Sequence, residues 1–141
     1  MAHPGGPVWA TKRGDGTWTI PKGELDPGEV DDPLAAAERE FAEEVGAPAP
    51  DGPRLPLGKI VQRGGKHVLA WAVEGDLDTD GLESNRFEME WPPHSGTTAT
   101  FLEIDEVRWV TLSEAMALLK PAQAELVERL STFLAGSDQR S

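Results

Sequence analysis

Residues 21–47 read PKGELDPGEVDDPLAAAEREFAEEVGA, and the rest of the chain can be interpreted from them. Their first third is rich in glycine, proline and aspartate, which predicts a loop. Asp32 is a suitable N-cap for a helix that begins at Pro33, because the first residue of a helix needs no backbone N–H. Gly46 suits a left-handed C-cap, so we expect the helix to end just before it.

The predicted helix has one apolar face and is otherwise unusually acidic. The apolar face is formed, at helical spacing, by Leu34, Ala37, Phe41 and Val45. Glu40, Glu43 and Glu44 share another side, where each like-charge pair costs roughly 0.2–0.5 kcal/mol. Glu43 and Glu44 also lie in the last turn, where the helix dipole disfavours anions. Oxygen ligands clustered in this way suit a hard divalent cation such as Mg²⁺, whereas the alternative interpretation is a solvated acidic surface.

The same residues resemble the signature of the Nudix hydrolases, G-x5-E-x7-R-E-U-x-E-E-x-G-U, in which U is apolar. The signature spans residues 23–47, and its matched positions are Gly23, Glu29, Arg39, Glu40, Phe41, Glu43, Glu44, Gly46 and Ala47. Nine residues rather than seven separate Glu29 from Arg39, so the first acidic position is open between Glu29 and Asp31. The insertion precedes the helix and leaves the register of the glutamates unchanged.

The resemblance implies an α/β (α+β) fold in which a mixed sheet lies between helices. It also implies a hydrolase that depends on Mg²⁺, with Mn²⁺ as an alternative ion. The metal ligands would be Glu40, Glu43 and Glu44, together with a backbone carbonyl at Lys22. Arg39 would hold a glutamate in place, and its i+4 partner is Glu43.

Residues outside the helix are candidates for the remaining roles. Glu103 is a candidate general base in a late loop, and the alternatives are a base on the helix or a plain loop residue. Glu29 or Asp31 is expected to steady the loop. Trp18 could stack on a base or belong to the core. Candidate phosphate contacts are Lys12, Arg13, Lys22, Arg63, Lys66 and Arg86, of which Lys22, Arg13 and Arg63 are preferred.

Composition limits the partners that the protein can have. The 141 residues predict one domain, residues 1–141, with a net charge of −12. This charge disfavours nucleic acid and anionic membrane surfaces, and it would repel a phosphorylated small molecule unless a cation bridged the two. The chain has no cysteine, no membrane-length apolar run and no leader pattern, so we expect a soluble cytoplasmic protein.

Apolar patterning predicts several short strands and two later helices. The predicted strands are residues 8–13, 18–20, 57–63, 67–74, 86–91 and 107–110. The predicted helices run from Thr111 or Ser113 through Leu119 and from Ala122 to Leu134. Residues 67–74 are apolar on both faces, which predicts a central strand. Residues 95–100 are predicted to form a loop near the site.

The first six residues, MAHPGG, do not predict an apolar strand, so the sheet is expected to lack its first strand. A missing strand leaves an unpaired edge or an uncovered apolar face. We therefore expect a homodimer that covers the gap, or a native start upstream of Met1. The alternative is a monomer in which residues 122–134 cover the gap.

Two functional hypotheses follow. The first is a metal-dependent hydrolase that cleaves the pyrophosphate linkage of a nucleoside diphosphate joined to another moiety. The second is a catalytically idle Nudix-like fold that binds a nucleotide or a protein. The complete set of Arg39, Glu40, Glu43 and Glu44 favours the enzyme, because an idle domain has no reason to keep costly carboxylates at a helix C-terminus.

Overall fold

The computed structural model describes residues 1–22, 31–62 and 64–138. The described strands are β1 (Ala2–Pro4), β2 (Leu55–Val61), β3 (His67–Ala72), β4 (Arg86–Glu90), β5 (Thr98–Leu102) and β6 (Ile104–Val107). The described helices are α1 (Pro33–Val45), α2 (Leu112–Leu118) and α3 (Pro121–Asp138). This mixture of helices and small sheets places the chain in the predicted α/β class.

The described strands form antiparallel pairs, β1 with β6, β2 with β3 and β4 with β5, rather than one mixed sheet. The β2–β3 pair is the hairpin predicted around Gly64 and Gly65, and both glycines have positive φ angles, 88° and 80°. The prediction of a central strand at residues 67–74 is wrong for the part described. There β3 pairs with β2 alone, and the Leu69 side chain on its outer face is 46% exposed.

The prediction that the first strand is missing is also wrong. Residues Ala2–Pro4 pair with β6, and both Ala2 and His3 are fully buried. A buried histidine is tolerated here because both of its ring nitrogens have partners, Asp105 Oδ1 at 2.8 Å and the Lys12 carbonyl at 2.7 Å. The homodimer prediction therefore loses its premise and stays a prediction.

Other strands begin and end at residues different from those predicted, because pairing with distant residues decides where a strand lies. Residues 8–13, predicted as a strand, form turns up to residue 11 and no strand. Residues 18–20 make only isolated bridges, Ala2 with Thr19 and Trp18 with Leu119. The loop predicted at residues 95–100 gives way to β5 at Thr98, which pairs with Glu90. The strand predicted at residues 107–110 instead spans Ile104–Val107, because β1 pairs with that segment.

The helices follow local sequence signals closely. Asp32 caps α1 by accepting the Ala35 N–H at 3.1 Å, and Gly46 ends the helix in the left-handed conformation with φ 86°. Thr111 and Glu114 form a capping box at the start of α2. Helix α3 begins at Pro121 itself and runs past the predicted end. Among the described helices, none is long and apolar enough to cross a membrane.

Helix α3 joins the two parts of the core. One cluster contains Trp18, Ala115, Leu119 and Val127, and the other contains Ile60, Ala70 and Leu126. The fully buried Gln123 accepts the Ile20 N–H at 2.9 Å and donates to Thr19 Oγ1 at 2.9 Å. These bonds fix residues 19 and 20 against α3, two residues before Lys22, where the candidate site begins.

Candidate active site

Helix α1 places two of the predicted glutamates, Glu40 and Glu43, about one turn apart, and Arg39 directly precedes the first of them. The Nη1 atom of Arg39 lies 2.8 Å from Glu40 Oε1 and 3.0 Å from Glu43 Oε2. The second contact is the i,i+4 pair that helical spacing predicts. Arg39 therefore orients Glu40 and Glu43 together and offsets part of their repulsion.

Glu44 is held from outside the helix. The backbone N–H of Lys22 donates to Glu44 Oε2 at 2.8 Å. The loop entry and the last turn of α1 therefore meet at this carboxylate, although they are far apart in sequence. The sequence analysis predicted the Lys22 carbonyl as a metal ligand beside Glu44. In the structure the backbone of Lys22 does lie next to Glu44, through its N–H group.

The site is electrostatically costly in the absence of a ligand. Burial raises the pKa of Glu44 to about 7, the Lys22 N–H and charge oppose this rise, and the charges of Glu40 and Glu103 add to it. Burial also raises the pKa of Glu40, which Arg39 opposes, while Glu43 and Glu103 reinforce the rise. The charge of Glu103 thus acts on both Glu40 and Glu44, and the charge of Glu40 also acts on Glu44.

Glu103 reaches this position through backbone hydrogen bonds rather than through a flexible loop. It is the single residue between β5 and β6. Its N–H donates to the Asn85 carbonyl at 2.9 Å, and its carbonyl accepts the Gly5 N–H at 2.8 Å. Asn85 in turn donates its N–H to the Glu43 carbonyl at 2.7 Å. Asn85 therefore links the end of α1 to Glu103.

Sequence reasoning missed the segment that contains Asn85. The segment lies so close to α1 that a Cβ at Gly46 would collide with the Glu83 carbonyl oxygen. Next to it, the Ser84 hydroxyl accepts the Ile104 N–H at 3.0 Å. Nothing in the local sequence signals this role, because it comes from backbone groups that every residue carries.

The carboxylate oxygens near the end of α1 are the donor type that a hard divalent cation prefers, but their arrangement does not form a metal site by itself. In the described residues, no group of three or more histidine, aspartate or glutamate side chains is close enough to hold a metal ion. Glu40, Glu44 and Glu103 nevertheless supply carboxylate oxygens whose mutual repulsion a hard cation would relieve.

Other predicted site residues lie elsewhere or outside the described chain. Arg13 is engaged by Asp105 at 2.8 Å and by Glu106 at 3.1 Å. The prediction that Trp18 stacks on a substrate base is wrong, because its side chain is 0% exposed. The alternative, that Trp18 belongs to the core, is confirmed. Asp31 is exposed, one residue before the α1 N-cap. Outside the described residues lie Gly23, Glu29 and Arg63.

A cavity of about 760 Å³ opens beside the carboxylates, between α1, the β2–β3 hairpin and α3. Lys22 lines it and also donates to Glu44, so the cavity begins one residue away from the carboxylate site. Three elements that are distant in sequence form its walls, which is why no sequence motif indicated it.

The structure thus combines in one α/β fold a glutamate-rich helix, a backbone N–H of Lys22 bound to its last turn and an adjoining cavity. The family model described as NUDIX domain matches residues 2–130. The chain therefore belongs to the Nudix family, as its signature indicates. Searches of curated proteins and of solved structures each found no match.

Proposed function

We propose that the protein is a divalent-metal-dependent hydrolase that cleaves the pyrophosphate linkage of a nucleoside diphosphate joined to another moiety. Family membership supports hydrolysis of a nucleotide-derived small molecule. The observation that carries the proposal is the placement of Glu44, which is held by the Lys22 N–H at 2.8 Å within the field of Glu40 and Glu103. Such a carboxylate is unfavourable in the free protein and useful when a cation binds.

In this proposal Glu40, Glu43 and Glu44 hold Mg²⁺ or Mn²⁺, with the Lys22 carbonyl as a further ligand. A bound divalent ion supplies Lewis-acid polarisation of a phosphoryl oxygen and a more acidic water. Arg39 keeps Glu40 and Glu43 oriented through its contacts of 2.8 and 3.0 Å. These contacts reduce the reorganisation that the reaction needs.

Glu103 is the proposed general base, which accepts a proton from the attacking water at its carboxylate oxygen. Its backbone is fixed by hydrogen bonds to Asn85 and Gly5, so the carboxylate starts from a defined position. Its charge also acts on both Glu40 and Glu44, which supports its nearness to the reaction.

A panel of nucleoside diphosphate compounds tests the proposal. We expect products with phosphate monoester ends that form only when Mg²⁺ or Mn²⁺ is present. Glu44→Gln should abolish most of this turnover, whereas Glu128→Gln, an exposed change on α3, should not. Nucleotide binding without turnover by any member of the panel would contradict the hydrolase and support the idle binding module.

A further inference from the structure

Lys120, at the junction of α2 and α3, is held beside the chain segment that leads to Lys22. Its backbone N–H donates to the Trp18 carbonyl at 3.0 Å. Three residues later, the Gln123 side chain accepts the Ile20 N–H at 2.9 Å. These two hydrogen bonds place the segment that ends at Lys22 alongside Lys120, although the two lysines are far apart in sequence.

The amines of Lys22 and Lys120 form a pair of like charges next to the carboxylate site. Burial and the charge of Lys22 both lower the pKa of Lys120. No carboxylate of the described residues forms an ion pair with Lys120 that would offset this repulsion. The charge of Lys22 also acts on Glu44, which accepts the Lys22 N–H at 2.8 Å. The lysine pair therefore adjoins the carboxylates, and an anion bound by both amines would relieve their repulsion.

An aromatic ring holds the Lys120 amine in position. The Nζ atom of Lys120 lies over the Trp9 ring, 5.6 Å from its centroid, and Lys12 Nζ lies over the same ring at 5.5 Å. A cation is attracted to the face of an indole ring, so Trp9 restricts the otherwise flexible Lys120 side chain. Less ordering of that side chain is then needed when an anion binds.

The chemistry of two neighbouring amines suits a phosphate group. Each lysine amine has three N–H donors, and a phosphate has several acceptor oxygens, so one phosphate can accept from both amines. The chain has 25 acidic and 13 basic residues, so most of its surface repels such a ligand. A pair of amines beside the carboxylate site offsets this repulsion at the place where a phosphorylated substrate has to bind.

We infer that Lys22 and Lys120 together bind a phosphate group of the substrate, and that Trp9 positions Lys120 to do so. The inference rests on the proposed function, because it takes this phosphate to belong to the diphosphate that is cleaved at the carboxylates. It adds to that function a binding residue from the α2–α3 junction, far from the signature in sequence. Lys22 joins the two parts of the site, since its backbone contacts Glu44 and its charge acts on Lys120.

Methylenediphosphonate tests the inference without turnover, because its P–C–P bridge contains no phosphoanhydride bond. Lysine amines are acylated with limiting acetic anhydride in the presence of Mg²⁺, and mass spectrometry of the digested protein measures the extent at each lysine. At ten times its Kd, the diphosphonate should slow acylation of Lys120 by about tenfold, because mass action leaves roughly one molecule in eleven free. Acylation of Lys12 should not change. An unprotected Lys120, or equal protection of Lys12 and Lys120, would overturn the inference.

Matched variants separate the lysine pair from net charge. Lys120→Gln and Lys12→Gln each remove one positive charge and one contact with the Trp9 ring. In calorimetry with Mg²⁺, Lys120→Gln should weaken diphosphonate binding by about tenfold, as for loss of a hydrogen bond to a charged group, and Lys12→Gln by less than about threefold. Equal losses in the two variants would overturn the inference.

The role of Trp9 has its own variant. Trp9→Leu should weaken diphosphonate binding by about two- to fivefold, because Lys120 loses the ring that holds it. Unchanged affinity in this variant would contradict the positioning role of Trp9.

The inference and the proposed function can fail separately. Protection of Lys120 by the diphosphonate without hydrolysis of any nucleotide in the panel would contradict the proposed function alone. Hydrolysis of the panel with the same KM in Lys120→Gln as in Lys12→Gln would overturn the inference alone.

Discussion

The two sides of Lys22 carry opposite charge. On one side lie the carboxylates of Glu40, Glu44 and Glu103, and on the other lies the cavity lined by lysines. The carboxylate side is costly in the free protein, because burial and neighbouring carboxylates raise the pKa of Glu44 and of Glu40. A divalent cation would relieve this cost on the first side, and an anionic group would suit the basic side chains on the second.

The two sides also differ in how the chain holds them. Backbone hydrogen bonds from Lys22 and Asn85 fix the carboxylate side. Hydrophobic packing of Leu126 against Ile60 and Ala70 fixes the floor of the cavity. We therefore expect changes on the carboxylate side to alter kcat and changes on the cavity side to alter binding.

The largest effect is expected from Glu44→Gln. Loss of a charged group that acts mainly in the transition state should lower kcat by about 10²–10³ and alter KM far less. Steady-state kinetics at saturating Mg²⁺ measures this, with Glu128→Gln as the control. A variant that loses affinity while keeping kcat would show that both sides of Lys22 serve binding only.

Glu103→Gln should lower kcat by about 10², the lower range for a general base. The pH–rate profile should also change, because the group proposed to accept the proton of the attacking water is gone. If Glu103 is only a connecting residue, the loss should stay below about threefold. An unchanged pH–rate profile in the variant would show that Glu103 is not the general base.

The pKa of Glu44, raised to about 7 in the folded protein from 4.5, gives a stability prediction with a definite sign. The folded state binds this proton more tightly than the unfolded state, so the metal-free protein should lose stability as the pH rises from about 4.5 to 7. Thermal unfolding from pH 5 to 8 in EDTA measures this loss. Glu44→Gln should show a smaller one, and identical slopes in both proteins would contradict the assignment.

Mg²⁺ should restore this stability at neutral pH. At about 100 times its Kd, a ligand of the folded state adds about 2.7 kcal/mol, which corresponds to roughly 5–10 °C in Tm for a chain of this size. Glu43→Gln and Glu44→Gln should reduce the shift. Equal Mg²⁺-induced shifts in the wild type and both variants would place the ion elsewhere.

The smallest effect is expected on the cavity side. Lys59→Gln should raise KM by about two- to fivefold with little change in kcat, since an exposed charge contributes at most about 1 kcal/mol. The effect should weaken as salt is added. Lys12→Gln is the control, because Lys12 lies over the Trp9 ring, at 5.5 Å, and does not line the cavity. Equal increases of KM in the two variants would mean that KM depends on the net charge of the protein and not on the position of Lys59.

Signals close together in the sequence predicted the parts of the fold that local hydrogen bonds decide. Asp32 and Gly46 predicted the two ends of α1, and Gly64 and Gly65 predicted the turn of the β2–β3 hairpin. The spacing of Arg39 and Glu43 gave their contact in the same way. Each of these features depends on residues within a few positions, so sequence alone contains the reason for it.

Features that depend on distant partners were decided only by the tertiary structure. MAHPGG forms a strand because β6 pairs with it and because Asp105 satisfies His3, and neither fact is visible in those six residues. Trp18 lies in the core because α2 and α3 cover it. The sequence by itself determined the acidic helix and its family. The tertiary structure decided what faces that helix, since burial and long-range hydrogen bonds arise only when the chain packs.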